Sequence, residues 1–257
     1  MADLFTSIAT ATPDSVTVRG KDLINELVGR LSYTEMLYFL ITDREPDRAQ
    51  TRVLDACLVM LMEHGFTPGA LVARLVADAL PGEIQVAIGS GLMTIGSIFA
   101  GSMEGCAALL AAGVDSPDPD AWCRDAVADF RGRGQPVPGF GHRFHVPDDP
   151  RTPRLLAIAE KEGLATRYVA LLRKLALAVD TAAGRHVTLN ATGAIAALLL
   201  EIGLPADICR AIAVVSRSGG LVGHIVEERR THSARRIAKL AAEHIPYCDP
   251  IREEDGQ

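Results

Sequence analysis

Residues 135–154 read QPVPGFGHRFHVPDDPRTPR, and no other stretch of the chain departs so far from ordinary helix composition. Pro136 and Pro138 push the residues before them toward extended backbone, while Gly139 and Gly141 permit conformations or close approaches that a side chain would block. The stretch therefore reads as a loop able to offer backbone amides and carbonyls to a ligand. His142 follows, then Arg143, and Arg151 stands in Asp149-Pro150-Arg151. An imidazole that titrates near neutral pH beside fixed guanidinium charges suits proton transfer on a substrate that bears a carboxylate. A plain surface loop between helices uses the same residue types, so composition alone leaves the role open.

On both sides of this loop the apolar residues recur at helical spacing. Ahead of it, a helix is predicted around Trp122 to Phe130. Beyond it, Thr152-Pro153 opens a helix with Leu155, Leu156 and Ile158 on its apolar face, and two more follow near 165–179 and 189–202. Nearer the start, Ser32 and Glu35 form a capping box before Met36, Leu37, Leu40 and Ile41. A helix near 46–64 carries Val53, Leu54, Cys57, Leu58 and Leu61 on one face and stops at Gly65. The next begins at Thr67-Pro68, a cap residue followed by proline at the first helical position. Residues 82–113 are rich in Gly, Ala and Ser and read as one or two central helices packed tightly against others, including those of a second subunit. Only residues 6–20 alternate apolar and polar side chains, around Pro13-Asp14-Ser15, which predicts a two-stranded hairpin as the sole sheet. The fold class is thus all-α with a short N-terminal β-hairpin.

With 257 residues and 48% hydrophobic content the chain can bury a full core. A net charge of −6 argues against nucleic acid as a partner. The basic cluster Arg229, Arg230, Arg235 and Arg236 follows Glu227-Glu228 and reads as a solvated helix face or an anion clamp. No secretory leader is legible at the start, and the apolar run near 89–100 is too short and glycine-rich to span a bilayer, so a cytoplasmic protein without a membrane partner is expected. The five cysteines, Cys57, Cys106, Cys123, Cys209 and Cys248, are widely spaced with no C-x-x-C, which predicts reduced thiols and no metal site.

Pro138-Gly139-Phe140-Gly141-His142-Arg143, with Asp149-Pro150-Arg151 close behind, resembles the citrate synthase family, and the short chain is most similar to its citryl-CoA lyase branch. The resemblance extends from about residue 6 to 240. Arg19-Gly20 holds the place of an Arg-Gly pair between a strand and a helix. His64 to Pro68 resembles the segment whose His binds the oxo-acid substrate, and Arg217, in the run Ser216 to Glu228, resembles the Arg that binds a substrate carboxylate. The resemblance implies a loop, Val137, Pro138, Gly139, Phe140 and Gly141, that binds coenzyme A mainly through its backbone. It makes His142 the group that exchanges a proton with the oxo-acid oxygen. It also implies substrate binding by His64, Arg151 and Arg217.

Two positions depart from the pattern. Where the family has its other catalytic His, in a Gly-x-x-His-Gly-Gly-x-x-Glu-type run, this chain has Phe99, and where the family has the Asp that removes the acyl-CoA methyl proton it has Thr192. A hydroxyl cannot serve as a carboxylate base at neutral pH, and Thr192 reads better as a helix N-terminal hydroxyl. The half that forms an enolate is therefore altered, while the half that starts a cleavage is retained. The expectation is a lyase that breaks a carboxylate-bearing β-hydroxyacyl-CoA into a shorter acyl-CoA and an oxo acid. Water, a backbone amide, Glu104 or His145 is left to protonate the enolate. Hydrolysis or hydration through His142, or thioester binding without turnover, are the alternatives. Coenzyme A enters as part of the substrate, with no permanently bound cofactor. A homodimer or higher homo-oligomer is expected, with 1–114 and 186–257 as a large helical body, 115–185 as a small subdomain, and the site between them.

Overall fold

Strand β1 (Ala9–Ala11) runs antiparallel to β2 (Val16–Val18), with Ala9 opposite Val18 and Ala11 opposite Val16. This is the predicted hairpin, but it is not two-stranded. A third strand, β3 (Lys21–Asp22), returns beside β2 through a two-residue turn at Arg19-Gly20. Both turn residues have positive φ, +48° and +77°, the combination whose twist matches that of the flanking strands. Arg19-Gly20 is therefore a hairpin turn between two strands, and the helical turn begins only after β3, at Leu23.

The computed structural model describes residues 4–96 and 101–248. After β3 and a π-helical turn (Leu23–Leu27) come α1 (Tyr33–Thr42), α2 (Arg48–Met62), α3 (Pro68–Ala79), α4 (Ile84–Leu92), α5 (Gly101–Gly113), α6 (Pro119–Gly132), α7 (Arg151–Lys161), α8 (Arg167–Ala183), α9 (Ala191–Glu201), a 3₁₀ turn (Ala206–Ile208), α10 (Cys209–Thr231) and α11 (Ser233–His244). No helix among the described residues is long and apolar enough to cross a membrane. The chain divides into two compact units, Met1–Leu61 with Gly96–Ser216, and Met62–Ile95 with Arg217–Gln257. Segment 115–185, expected as a small subdomain, lies wholly inside the first.

In the first unit α9 is the central element. Its sequence ATGAIAALLLE is buried on nearly every side, as a helix apolar all round must be, and α5, α7 and α8 pack around it. The stretch 82–113, expected as one or two helices, forms two, α4 and α5, which belong to different units. Small side chains allow α5 its close packing, but it buries one leucine, Leu110, where α8 and α9 bury three each. Local chemistry starts the helices. Ser32 Oγ accepts from Glu35 N while Glu35 reaches back to Ser32 N, the predicted capping box. The amides of Thr166, Tyr168 and Val169, at the start of α8, all donate to Glu201 Oε1 at 2.8–3.0 Å, so the end of one helix caps the beginning of another.

The second unit holds α3, α4, α11 and the part of α10 from Arg217 onward. Ala70, Ala73, Ala77, Ala87, Leu221 and Ile225 form its small core. Thr67 caps α3 ahead of Pro68, as its sequence predicts. Arg74 lies on the same buried stripe as the alanines, only 2% exposed. All five cysteines are free thiols, and Cys57, Cys106 and Cys209 are pushed up to about 12, chiefly by burial.

Candidate active site

Pro, Gly and Asp residues keep 133–150 out of helix, and the segment folds back on the strand-like stretch that leads into α9. Asn190 N donates to Gly139 O at 3.1 Å, Gly141 N to Thr188 O at 2.7 Å, and Asn190 Nδ2 to Gly141 O at 2.9 Å. Gly139 N donates to Ser102 Oγ on α5 at 2.7 Å. Val137 and Phe140 point into the core. Gly139 has φ +89°, and a Cβ there would stand 2.8 Å from Cys106 Sγ, so only glycine fits. The protein itself thus uses the N–H and C=O of both Gly139 and Gly141.

Asp149 ties the end of the loop to the two helices that start beside it. It is 1% exposed, and its Oδ1 accepts from Arg151 N at 3.1 Å and its Oδ2 from Ala191 N at 2.9 Å, the first amides of α7 and α9. Arg151 adds Nε to Oδ1 at 2.9 Å and Nη2 to Oδ2 at 2.8 Å. Burial opposes the charge, but the Arg151 guanidinium and the two amides outweigh it and hold the carboxyl down at about 2. One edge of the Arg151 fork is thus held by Asp149, and Nη2 also faces His142.

His142 lies half-buried beside this pair. Its Nδ1 accepts from Phe144 N at 3.1 Å and His145 N at 3.0 Å, and its Nε2 lies 3.1 Å from Arg151 Nη2, a group that can only donate. The His145 ring is 4.4 Å away, centroid to centroid. A cavity of about 440 Å³ opens here, lined by His142, Val146, Arg185, His186 and Thr188 among others. His186 bridges Asp180 and Asp148 at 2.9 and 3.0 Å, and the hydrogen bond to Asp180, then that to Asp148, raises its pKa.

Thr192 sits in the first turn of α9, where its hydroxyl donates to Asn190 Oδ1 at 2.6 Å; that oxygen also caps Gly193 N at 3.0 Å. Glu104 on α5 is ion-paired with Arg210, a commitment that sets it apart from a free proton donor. Phe99 lies outside the described residues. His64 and Arg217 belong to the second unit. His64 is in the exposed turn after α2, and Arg217 Nη1 is 4.0 Å from Glu63 Oε1. In that unit Arg74 donates to His224 Nδ1 at 2.8 Å and to Ser233 Oγ at 3.0 Å, and pairs with Glu227 and with Glu228, the latter at 3.1 Å. His224 Nε2 meets Glu63 Oε1 at 3.0 Å. Of the basic cluster, Arg235 is paired with Asp78 at 3.0 Å. Sequence reasoning passed over Asp149, Asn190, Glu63, Arg74 and His224. A charged residue on an otherwise alanine-lined face was the available signal for Arg74.

A family model described as "Citrate synthase, C-terminal domain" matches residues 2–240. The chain belongs to the citrate synthase family. Among curated members, it is 28% identical over 214 residues to the citrate synthase of Haloferax volcanii, covering 82% of this chain and 55% of the relative. It is 26% identical over 209 residues to 2-methylcitrate synthase of Shewanella oneidensis, covering 80% and 53%. The chain thus spans about half the length of these family members. The solved structure of citryl-CoA lyase from Hydrogenobacter thermophilus is 30% identical with a TM-score of 0.82, covering 89% of this chain and 88% of that one.

Proposed function

We propose that this protein cleaves a carbon–carbon bond in a carboxylate-bearing β-hydroxyacyl-CoA of the citryl-CoA type. The observation that carries the reading is the His142–Arg151–Asp149 arrangement beside a cavity, on a chain similar along nearly its whole length to a citryl-CoA lyase. His142 removes the proton of the β-hydroxyl. The oxygen becomes the carbonyl of the departing oxo acid, and the electrons of the broken bond move into the acyl-CoA enolate, which takes up a proton to give the shorter thioester. Arg151, Arg217 and His64 bind the substrate's carboxylates, and the loop 137–141 holds the coenzyme A portion.

In the resting arrangement two amides donate to Nδ1 and the Arg151 guanidinium faces Nε2. For base action one ring nitrogen meets the β-hydroxyl without a proton of its own. With Glu104 held by Arg210, His145 is the remaining side chain of those considered for delivering the enolate proton.

The deciding experiment offers citryl-CoA to the purified protein and measures oxo acid and free thiol separately. Cleavage releases oxaloacetate without free thiol. Free thiol without oxaloacetate would make the protein a hydrolase, and neither product would make it a thioester-binding protein.

A further inference from the structure

Glu63 directly follows the last residue of α2, where a carboxylate opposes the helix dipole and an uncharged or basic residue would be favoured. Within the second unit two amides nevertheless donate to its Oε1, His64 N and Gly65 N, both at 2.7 Å, and His224 Nε2 lies 3.0 Å from the same oxygen. The side chain of His224 is itself fixed. Its Nδ1 accepts from the Nε of buried Arg74, so the proton lies on Nε2, the nitrogen nearest Glu63. Burial opposes ionisation of Glu63, but the His224 hydrogen bond and the two amides keep its pKa below the usual carboxylate range. On α10, Arg217, Gly220 and His224 share one face at helical spacing. A Cβ on Gly220 would run into Met62 O and stand 2.9 Å from Glu63 Oε2. The glycine in Ser218-Gly219-Gly220 thus admits the turn that carries Glu63 and His64, and Arg217 Nη1 lies 4.0 Å from the same carboxylate.

We infer that Glu63 is a positioning residue: it fixes the His64-Gly65 turn and steers Arg217, so that both are set for the carboxylates of an oxo acid. This rests on the roles proposed for His64 and Arg217. Glu63 acts through them and touches no reacting atom.

The test compares the parent chain with Glu63→Ala and Glu63→Gln by amide hydrogen exchange at His64 and Gly65, by calorimetric titration with oxaloacetate and with coenzyme A, and by citryl-CoA kinetics. In Glu63→Ala the two amides should exchange faster and oxaloacetate affinity should fall roughly 10- to 100-fold, the scale of a misplaced binding group, with coenzyme A affinity held. Glu63→Gln keeps an acceptor oxygen for the amides and should recover exchange protection and part of the affinity. Faster exchange with parent-like oxaloacetate affinity would make Glu63 a helix-end cap only and overturn the inference, as would an equal loss of both affinities. A parent that binds oxaloacetate but leaves citryl-CoA intact sinks the lyase reading alone; one that binds no oxaloacetate sinks both.

Discussion

A carboxylate almost without solvent contact sits where two helices begin, and its charge is what the surrounding residues require. Asp149 receives the first amides of α7 and α9 together with two N–H groups of the Arg151 guanidinium, so removing it leaves four donors without their acceptor. Its pKa is lowered from 3.8 to about 2, so its contribution is complete above pH 3.8 and is lost as pH falls through 2. That shift corresponds to about 2 kcal/mol. The stability gap between Asp149→Ala and the parent should therefore narrow by about 2 kcal/mol between pH 6 and pH 2, as read from urea melts at both pH values. At His142 the chemistry is tested more directly. Glutamine keeps a donor near the Nε2 position but cannot take a proton, so His142→Gln should lose roughly 10²- to 10⁴-fold in turnover of citryl-CoA with coenzyme A affinity little changed. Turnover within a few-fold of the parent would reduce His142 to a hydrogen-bond donor. The sequence made His142 conspicuous through its loop. It could not reveal that both nitrogens face N–H groups, because those neighbours are set by how the backbone folds back from Phe144 and by Arg151.

Helix boundaries were legible because their causes are local: Ser32 with Glu35 and Thr67 with Pro68 act within one turn. The close contacts between elements were not. Gly139 read as a residue that permits an unusual conformation or a close approach, but the sequence could not name the neighbours, Cys106 on α5 and Gly193 on α9. Gly139→Ala should cost about 1–3 kcal/mol, since it combines positive φ with a blocked Cβ, and a thermal melt would show it. Arg74 is the clearest omission. Its partners Glu227, Glu228 and Ser233 come from the far end of the sequence, and periodicity on α3 says only that its stripe is buried. Glu228 is 1% exposed, so Arg74→Ala leaves a buried charge behind and should lose about 3–5 kcal/mol. If the cost comes from that stranded charge, Arg74→Met with Glu228→Gln should lose less than the two single changes added together, a comparison that denaturant melts decide.

At the scale of the whole molecule, an all-helical chain with an N-terminal hairpin followed from hydrophobic period. The division into units did not, because the second unit joins 62–95 to 217–257 and its ties, such as Arg74 to His224 across 150 positions, leave no local trace. The small residues of 82–113 suggested a subunit contact, and the exposed side chains of α3 and α4 give that expectation a surface. Leu75, Leu80, Ile84, Val86 and Met93 are all exposed in the second unit, and Met93 is 88% so. Val86 and Met93 are seven residues apart, on one face of α4 and its C-terminal cap. Isolated apolar side chains on a surface need no explanation, but several on two helices packed against each other suit burial by a second copy. We therefore expect sedimentation at micromolar concentration to give twice the 27.4 kDa chain mass. Val86→Glu should convert the dimer to monomer without loss of helical circular dichroism, since a charge that is harmless in water is costly in a dry contact. A monomeric parent would remove the dimer altogether, whereas a Val86→Glu protein that stayed dimeric would move the contact away from α4.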